Sequence, residues 1–266
     1  MAETTTHQTV EPRAARPVIR TIYRDRPWSW LAQGWNDFRR APLPGLVFGL
    51  VFAIAGWIVL IATWTYQIYY LTFPLAAGFL LAGPILAVGL YEVSRRLHAG
   101  ETAGFGDALR AFSSNPTQVA FFGVILLLIF IAWIRLASLL FMLHFFDQPP
   151  GIDPWDFAQT ILTVDAIPFL ILGNAIGAVL AFVTFAASAI AIPLLLDRPE
   201  ANVITAVATS WQAVTRNFWT MLLWAWLIVI FIGVGIVTGF LGLIITLPLI
   251  GHASWAAYRD LVEWKD

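Results

Sequence analysis

Six apolar stretches, each long enough to cross a bilayer, dominate this 266-residue chain. Their approximate limits are 43–64, 71–91, 119–144, 167–196, 218–238 and 239–258. The first would extend roughly 33 Å as a helix at about 1.5 Å per residue, enough for one crossing. Lipid offers the backbone no hydrogen bonds, so segments of this kind fold as helices. Charged residues make up 12% of the sequence, about half of the roughly 25% usual in soluble domains. The sequence therefore predicts an all-α polytopic membrane protein with six transmembrane helices.

The basic residues set the expected topology. The segment up to Arg40 carries seven, 92–118 three, 197–217 two, and the C-terminal end two, so these four regions hold 14 of the 15 Lys and Arg residues. In a six-span chain all four lie on one side, which the positive-inside rule makes cytoplasmic. The opposite side has segment 147–165, with Asp147, Asp153, Asp156 and Asp165 and no Lys or Arg. Both termini are thus expected in the cytoplasm. Residues 1–27, polar and rich in Arg and Pro without an apolar stretch after Met1, read as a disordered cytoplasmic tail. Residues 28–258 read as the membrane domain and 259–266 as a second short tail. Trp64, Tyr66, Tyr69 and Tyr70 at the outer end, and Trp211, Trp219, Trp255, Tyr258 and Trp264 at the inner, suit two interfacial belts.

The spans group into three hairpins, each preceded by a short amphipathic helix expected along the inner interface. Trp28, Leu31, Trp35 and Phe38 make the first apolar stripe, with Gln33, Asp37 and Arg39 off it. Phe105, Ala108, Leu109 and Phe112 make the second; Val203, Ala206, Val207, Trp211 and Val214 make the third. Each second span carries a proline toward its inner half, at Pro84, Pro193 and Pro248, freeing the carbonyls of Leu80, Ala189 and Ile244. These alignments predict an internal repeat of three units. Spans five and six nearly fuse, so Gly233, Gly235, Gly239 and Gly242 are expected to host a tight turn. Gly45/Gly49, Gly173/Gly177 and Gly235/Gly239 share the spacing that lets helices approach closely.

Gly83-Pro84, the run Gly89-Leu90-Tyr91-Glu92-Val93-Ser94-Arg95-Arg96, Gly100-Glu101 and Phe105–Phe112 form a recognisable series. It resembles the DUF2189 family of bacterial inner-membrane proteins, whose characteristic stretch reads GP, GLYE.SRR, GE. The six-span layout and the Trp-rich first helix fit the same family. The resemblance implies a bacterial inner-membrane location and no specific chemistry. A haem–copper core, a label that some relatives carry, needs more histidine ligands than His7, His98, His144 and His252 supply.

Other chemistry is thinly represented. The chain has no cysteine, which removes disulfides, thiolate metal sites and cysteine nucleophiles. It has no GxSxG, HExxH or phosphate loop, so neither an enzyme nor a cofactor is expected. Near-neutral charge and the absence of basic runs argue against nucleic acid. Of the histidines only His98 and His252 are expected near one another, at the inner face. Asp153-Pro154-Trp155-Asp156 reads as acids opening an interfacial helix. The densest polar cluster, Glu92, Arg95 and Arg96 with Ser94 between, suits a cytoplasmic docking or lipid-headgroup patch, or a surface ion pair.

Arg135 is the one basic residue away from the inner side. An unpaired arginine at mid-span costs about 2.5–3.5 kcal/mol on insertion scales, less if it reaches the headgroups. The alternatives are such snorkelling or an ion pair with Asp165, which returns to the same outer rim. With so few ionisable groups inside the spans, the expected function is a non-enzymatic scaffold or accessory subunit, with membrane lipids and other membrane subunits as partners. The alternative is a transporter or lipid-handling protein with a cavity between the hairpins, near Asn174, Thr184 and Ser188.

Overall fold

The computed structural model describes residues 16–67, 75, 83–147 and 154–265. Most of the expected second span, together with Tyr69, Tyr70 and Asp153, lies outside these residues. The described chain runs β1 (Arg16–Ile19), α1 (Arg26–Arg40), α2 (Pro42–Thr65), α3 (Val88–His98), α4 (Phe105–Arg110), α5 (Pro116–His144), α6 (Pro154–Ile161), α7 (Ile167–Ser188), α8 (Ala191–Asp197), α9 (Val203–Arg216), α10 (Phe218–Val237), α11 (Leu243–Leu261) and β2 (Val262–Lys265). Four helical stretches are long and apolar enough to cross a membrane: α2, α5, the run Val164–Asp197 that contains α7 and α8, and α10. They correspond to the first, third, fourth and fifth expected spans.

The sixth expected span is α11, which is helical but does not reach the same apolarity. Thr246, His252, Ser254, Arg259 and Asp260 dilute it. It is also largely enclosed, with thirteen of its nineteen residues buried. Helices α1, α2, α3 and α10 all pack against it. A helix enclosed by protein need not be apolar on every face, and this explains how polar groups enter α11.

Close approach around α11 depends on glycine. A Cβ at Gly34 of α1 would fall 2.7 Å from the Ala253 nitrogen and 2.8 Å from the Leu249 oxygen. At Gly49 of α2 it would fall 2.5 Å from Ile244 Cα and 2.6 Å from its carbonyl oxygen. That is the carbonyl that Pro248 leaves without its helical donor. Gly45 meets Phe38 and Pro248 on the same side. The first glycine pair therefore serves contact within the chain.

The prolines act differently from one another. Before Pro193 the helix breaks at Ala189–Ile190, and the Ile190 N–H is recovered by the Ser210 hydroxyl of α9 at 3.1 Å. After Pro84 the helical path breaks at Ala87, whereas Pro248 sits inside an unbroken α11. Leu80 is outside the described residues. The α10–α11 turn falls where the glycines require it, with Gly239 at φ +67° and Phe240 at φ +65°. Trp57 of α2 secures it, donating from Nε1 to the Gly239 carbonyl at 2.9 Å and packing on the Phe240 ring.

Two expectations are corrected at the amino end. Residues 16–27 are ordered: β1 pairs antiparallel with β2, from Arg16 opposite Lys265 to Ile19 opposite Val262. Val18, Ile19 and Ile22 supply apolar and β-branched residues that the Arg/Pro composition of the tail masked. Asn217, between α9 and α10, grips this stretch by accepting from Ile22 N–H and donating to the Arg20 carbonyl. Arg26 then forms a two-pronged ion pair with Asp260 at 2.6 and 2.9 Å, and the buried Trp30 donates to the same carboxylate. The second correction concerns the face of α1. Its buried residues include Trp30, Leu31, Gly34, Asp37 and Phe38, while Trp28 and Trp35 are exposed. The stripe is rotated because Gly34, not a large side chain, marks the line of contact with α11. In α9, likewise, Ala206, Ser210 and Ala213 are buried and Trp211 stays outside.

Candidate functional site

The densest buried polar chemistry lies where α1, α3 and α11 meet. Asp37 is 2% exposed, and Ser94 and His252 are fully enclosed. The Ser94 hydroxyl donates to Asp37 Oδ2 at 2.8 Å and lies 2.9 Å from His252 Nδ1. Ser94 Oγ thus bridges the carboxylate and the imidazole, with its one proton directed to Asp37. His98 Nε2 stands 4.0 Å from the same Asp37 oxygen. The expected approach of His98 to His252 is thus realised through two intermediaries, Asp37 and Ser94. His252 Nε2 is buried beside the Leu90 backbone and completes no hydrogen bond of full geometry. Burial pushes the Asp37 carboxyl above the usual carboxylate range, against the Ser94 hydroxyl and the nearby charges of His98 and Arg40.

Asp37 corrects the reading that placed it on the solvated side of α1. Its position three residues from Gly34 and seven from Trp30 puts it on the buried face, a relation visible only once that face is known. The order of the groups also matters. A hydrolytic relay places histidine between serine and carboxylate, whereas here the serine is in the middle and carries its proton to the carboxylate. The geometry ties three helices together. Among the described residues, no group of three or more His, Asp or Glu side chains converges in a way that would hold a metal ion.

On either side of Ser94 along α3 lies the patch at Glu92, Arg95 and Arg96. Glu92 accepts from Arg95 at 2.7 and 2.8 Å and from Arg96 at 3.0 Å. Arg96 also reaches Asp107 at 3.4 Å and Glu101 at 3.6 Å, and Arg110 pairs with Asp107. Asp107 accepts the Gly104 N–H at the start of α4, and that bond, helped by Arg96 and Arg110, holds its carboxyl below the ordinary range. Three arginines and three carboxylates therefore neutralise one another. They staple the α3–α4 corner and leave little charge for an outside anion.

Arg135 and Asp165 are not brought together: both are exposed, and no ion pair joins them. At that rim His144 Nε2 donates to the Asp165 carbonyl at 2.9 Å, and its ring stacks on Phe169. A backbone acceptor thus does what the Asp165 side chain was expected to do, linking the third span to the fourth. The polar residues of α7 turn back on their own helix, Asn174 to the Leu170 carbonyl and Thr184 to that of Leu180.

Long apolar helices packed on an enclosed apolar core define an all-helical integral membrane protein. Residues 71–197, just under half of the chain, match the DUF2189 family, described as a predicted integral membrane protein. The matched residues include Gly83–Phe112, on which the resemblance rests. The matched stretch contains Ser94 and the Glu92 network but neither Asp37 nor His252, so the buried cluster joins residues from inside and outside it. No curated protein and no solved structure matches the chain.

Proposed function

We propose that the protein is a non-enzymatic scaffold or accessory subunit of a bacterial inner-membrane complex, with six spans in three repeated units and both termini cytoplasmic. The observation that carries the reading is α5. Of its 29 residues only Phe122 and Leu126 are buried. Leu128, Ile131, Arg135, Leu139 and Met142 are exposed at spacings of three and four, one lateral stripe with a guanidinium at its middle. A partner helix that presents a carboxylate to Arg135 would offset the cost of placing that charge in lipid. The self-bonded polar groups of α7 give less support to a transport cavity at Asn174, Thr184 and Ser188.

The topology has its own support. Pairing of β1 with β2 joins residues 16–19 to residues 262–265, which supports an even number of crossings. Helices α1 and α9 directly precede α2 and α10, and α4 with its 3₁₀ turn precedes α5, as the repeated unit expects. Because the chain has no cysteine, single-cysteine labelling has no background. Asp147→Cys is expected to react with an impermeant maleimide in cells with a permeabilised outer membrane, and Ser113→Cys only after lysis. Labelling of Ser113→Cys from outside would reverse the orientation. For the partner, a photo-crosslinking residue at Leu139 is expected to give one discrete protein adduct in native membranes, lost when Arg135 is changed to Glu. Adducts with lipid alone would overturn the scaffold reading.

A further inference from the structure

The ends of α8 and α11 and the β1–β2 pair enclose a cavity of about 230 Å³. Its lining includes three arginines, Arg20, Arg198 and Arg259, from three separate parts of the chain. The carboxylates at its wall are already engaged. Asp197 accepts the Tyr258 hydroxyl at 2.7 Å, and Glu263 faces Arg20 at 3.3 Å. The Arg198 guanidinium carbon lies over the Trp264 ring, 4.8 Å from its centroid, and its Nε is enclosed without a hydrogen-bond partner. Its nearest carboxylate, Glu200, is 3.8 Å from the guanidinium. Arg259 is exposed and has no hydrogen bond or ion pair among the described residues.

Guanidinium groups with free N–H donors suit the tetrahedral oxygens of phosphate, and one stacked on an aromatic ring loses little freedom on binding. The cavity also stands at the end of the Val164–Asp197 membrane stretch, where a lipid headgroup meets the protein. The geometry points to a phosphate-binding site formed by Arg20, Arg198 and Arg259, occupied by a phosphoester. It is separate from the neutralised Glu92 patch and independent of the partner stripe on α5.

The test uses the purified full chain in a neutral detergent, stripped of lipid, with thermal unfolding as the readout. Dihexanoyl phosphatidylglycerol and inorganic phosphate serve as separate probes. A rise in melting temperature with the lipid alone assigns the site to a headgroup. An equal rise with inorganic phosphate assigns it to a soluble phosphate compound. Either result supports the site if Arg259→Gln, which removes a guanidinium without a structural partner, weakens the response at least tenfold in ligand concentration. Arg110→Gln, on the neutralised network, is expected to respond as the parent does. No shift with either probe, or an Arg259→Gln response equal to the parent's, would overturn the proposal.

Discussion

Replacing Gly49 with leucine is expected to abolish folding, and even alanine there should cost several kilocalories. The reason is backbone against backbone. A Cβ at this position would overlap Ile244 Cα and its carbonyl, at 2.5 and 2.6 Å, and neither can swing aside as a flexible side chain would. Helices α2 and α11 would have to separate, taking with them the contacts of Gly45 and the Trp57 anchor on the turn. Overpacking of a well-filled core costs about 1–3 kcal/mol and occasionally more, and a clash between two backbones belongs at the upper end. Gly173, with the same four-residue spacing to its partner, is the control. Nothing lies within 4 Å of its would-be Cβ, so Gly173→Ala should be neutral or gain up to about 1 kcal/mol from helix propensity. Fluorescence-detected size exclusion after a temperature series measures both. Equal melting of Gly49→Ala and Gly173→Ala would show that the α2–α11 crossing is not as close as described.

The second large effect belongs to Asp37. Truncation to alanine leaves the Ser94 hydroxyl without its acceptor in an enclosed site and removes the charge that faces His98. Loss of one member of a buried hydrogen-bonded network costs roughly 3 kcal/mol, because the remaining groups stay desolvated. Asp37→Asn keeps an acceptor oxygen for Ser94 and should lose much less. The double variant Asp37→Ala/Ser94→Ala should lose less than the sum of the single variants, since the second truncation removes the orphaned hydroxyl. Melting of the four proteins in one detergent settles the point. Strict additivity would mean that the two side chains do not share a bond.

Much of this architecture was legible in the sequence because lipid imposes a simple requirement. The long apolar runs became α2, α5, α7 with α8, and α10, and the glycines at 239 and 242 marked their turn. What was not legible depended on which face each helix turns to its neighbours. Gly45/Gly49 and Gly173/Gly177 have identical spacing, and of these four only Gly49 meets another backbone. Trp28 and Trp35 look like the natural contact line of α1, yet small Gly34 sets it and carries Asp37 inward. Arg135 and Asp165 both stay exposed and apart, and it is His144 that reaches the Asp165 backbone. Residues 16–19 gave little sign of being a strand, because their partner lies at the other end of the chain.

That pairing has a consequence for how the molecule is made. Arg26 and Asp260 are 234 residues apart, and the strands close a still longer loop. During synthesis, α1 emerges long before the helix it packs on has been translated. Until then Trp30, Gly34 and Asp37 have no seat, and the first segment must wait on the membrane surface with its apolar and acidic groups uncovered. Closure of the β1–β2 pair and of the Arg26–Asp260 ion pair is accordingly a late event of assembly, gated by delivery of the final helix. A nascent chain stalled before Asp260 would display an unseated α1, because neither the ion pair to Arg26 nor the β2 strand would yet exist.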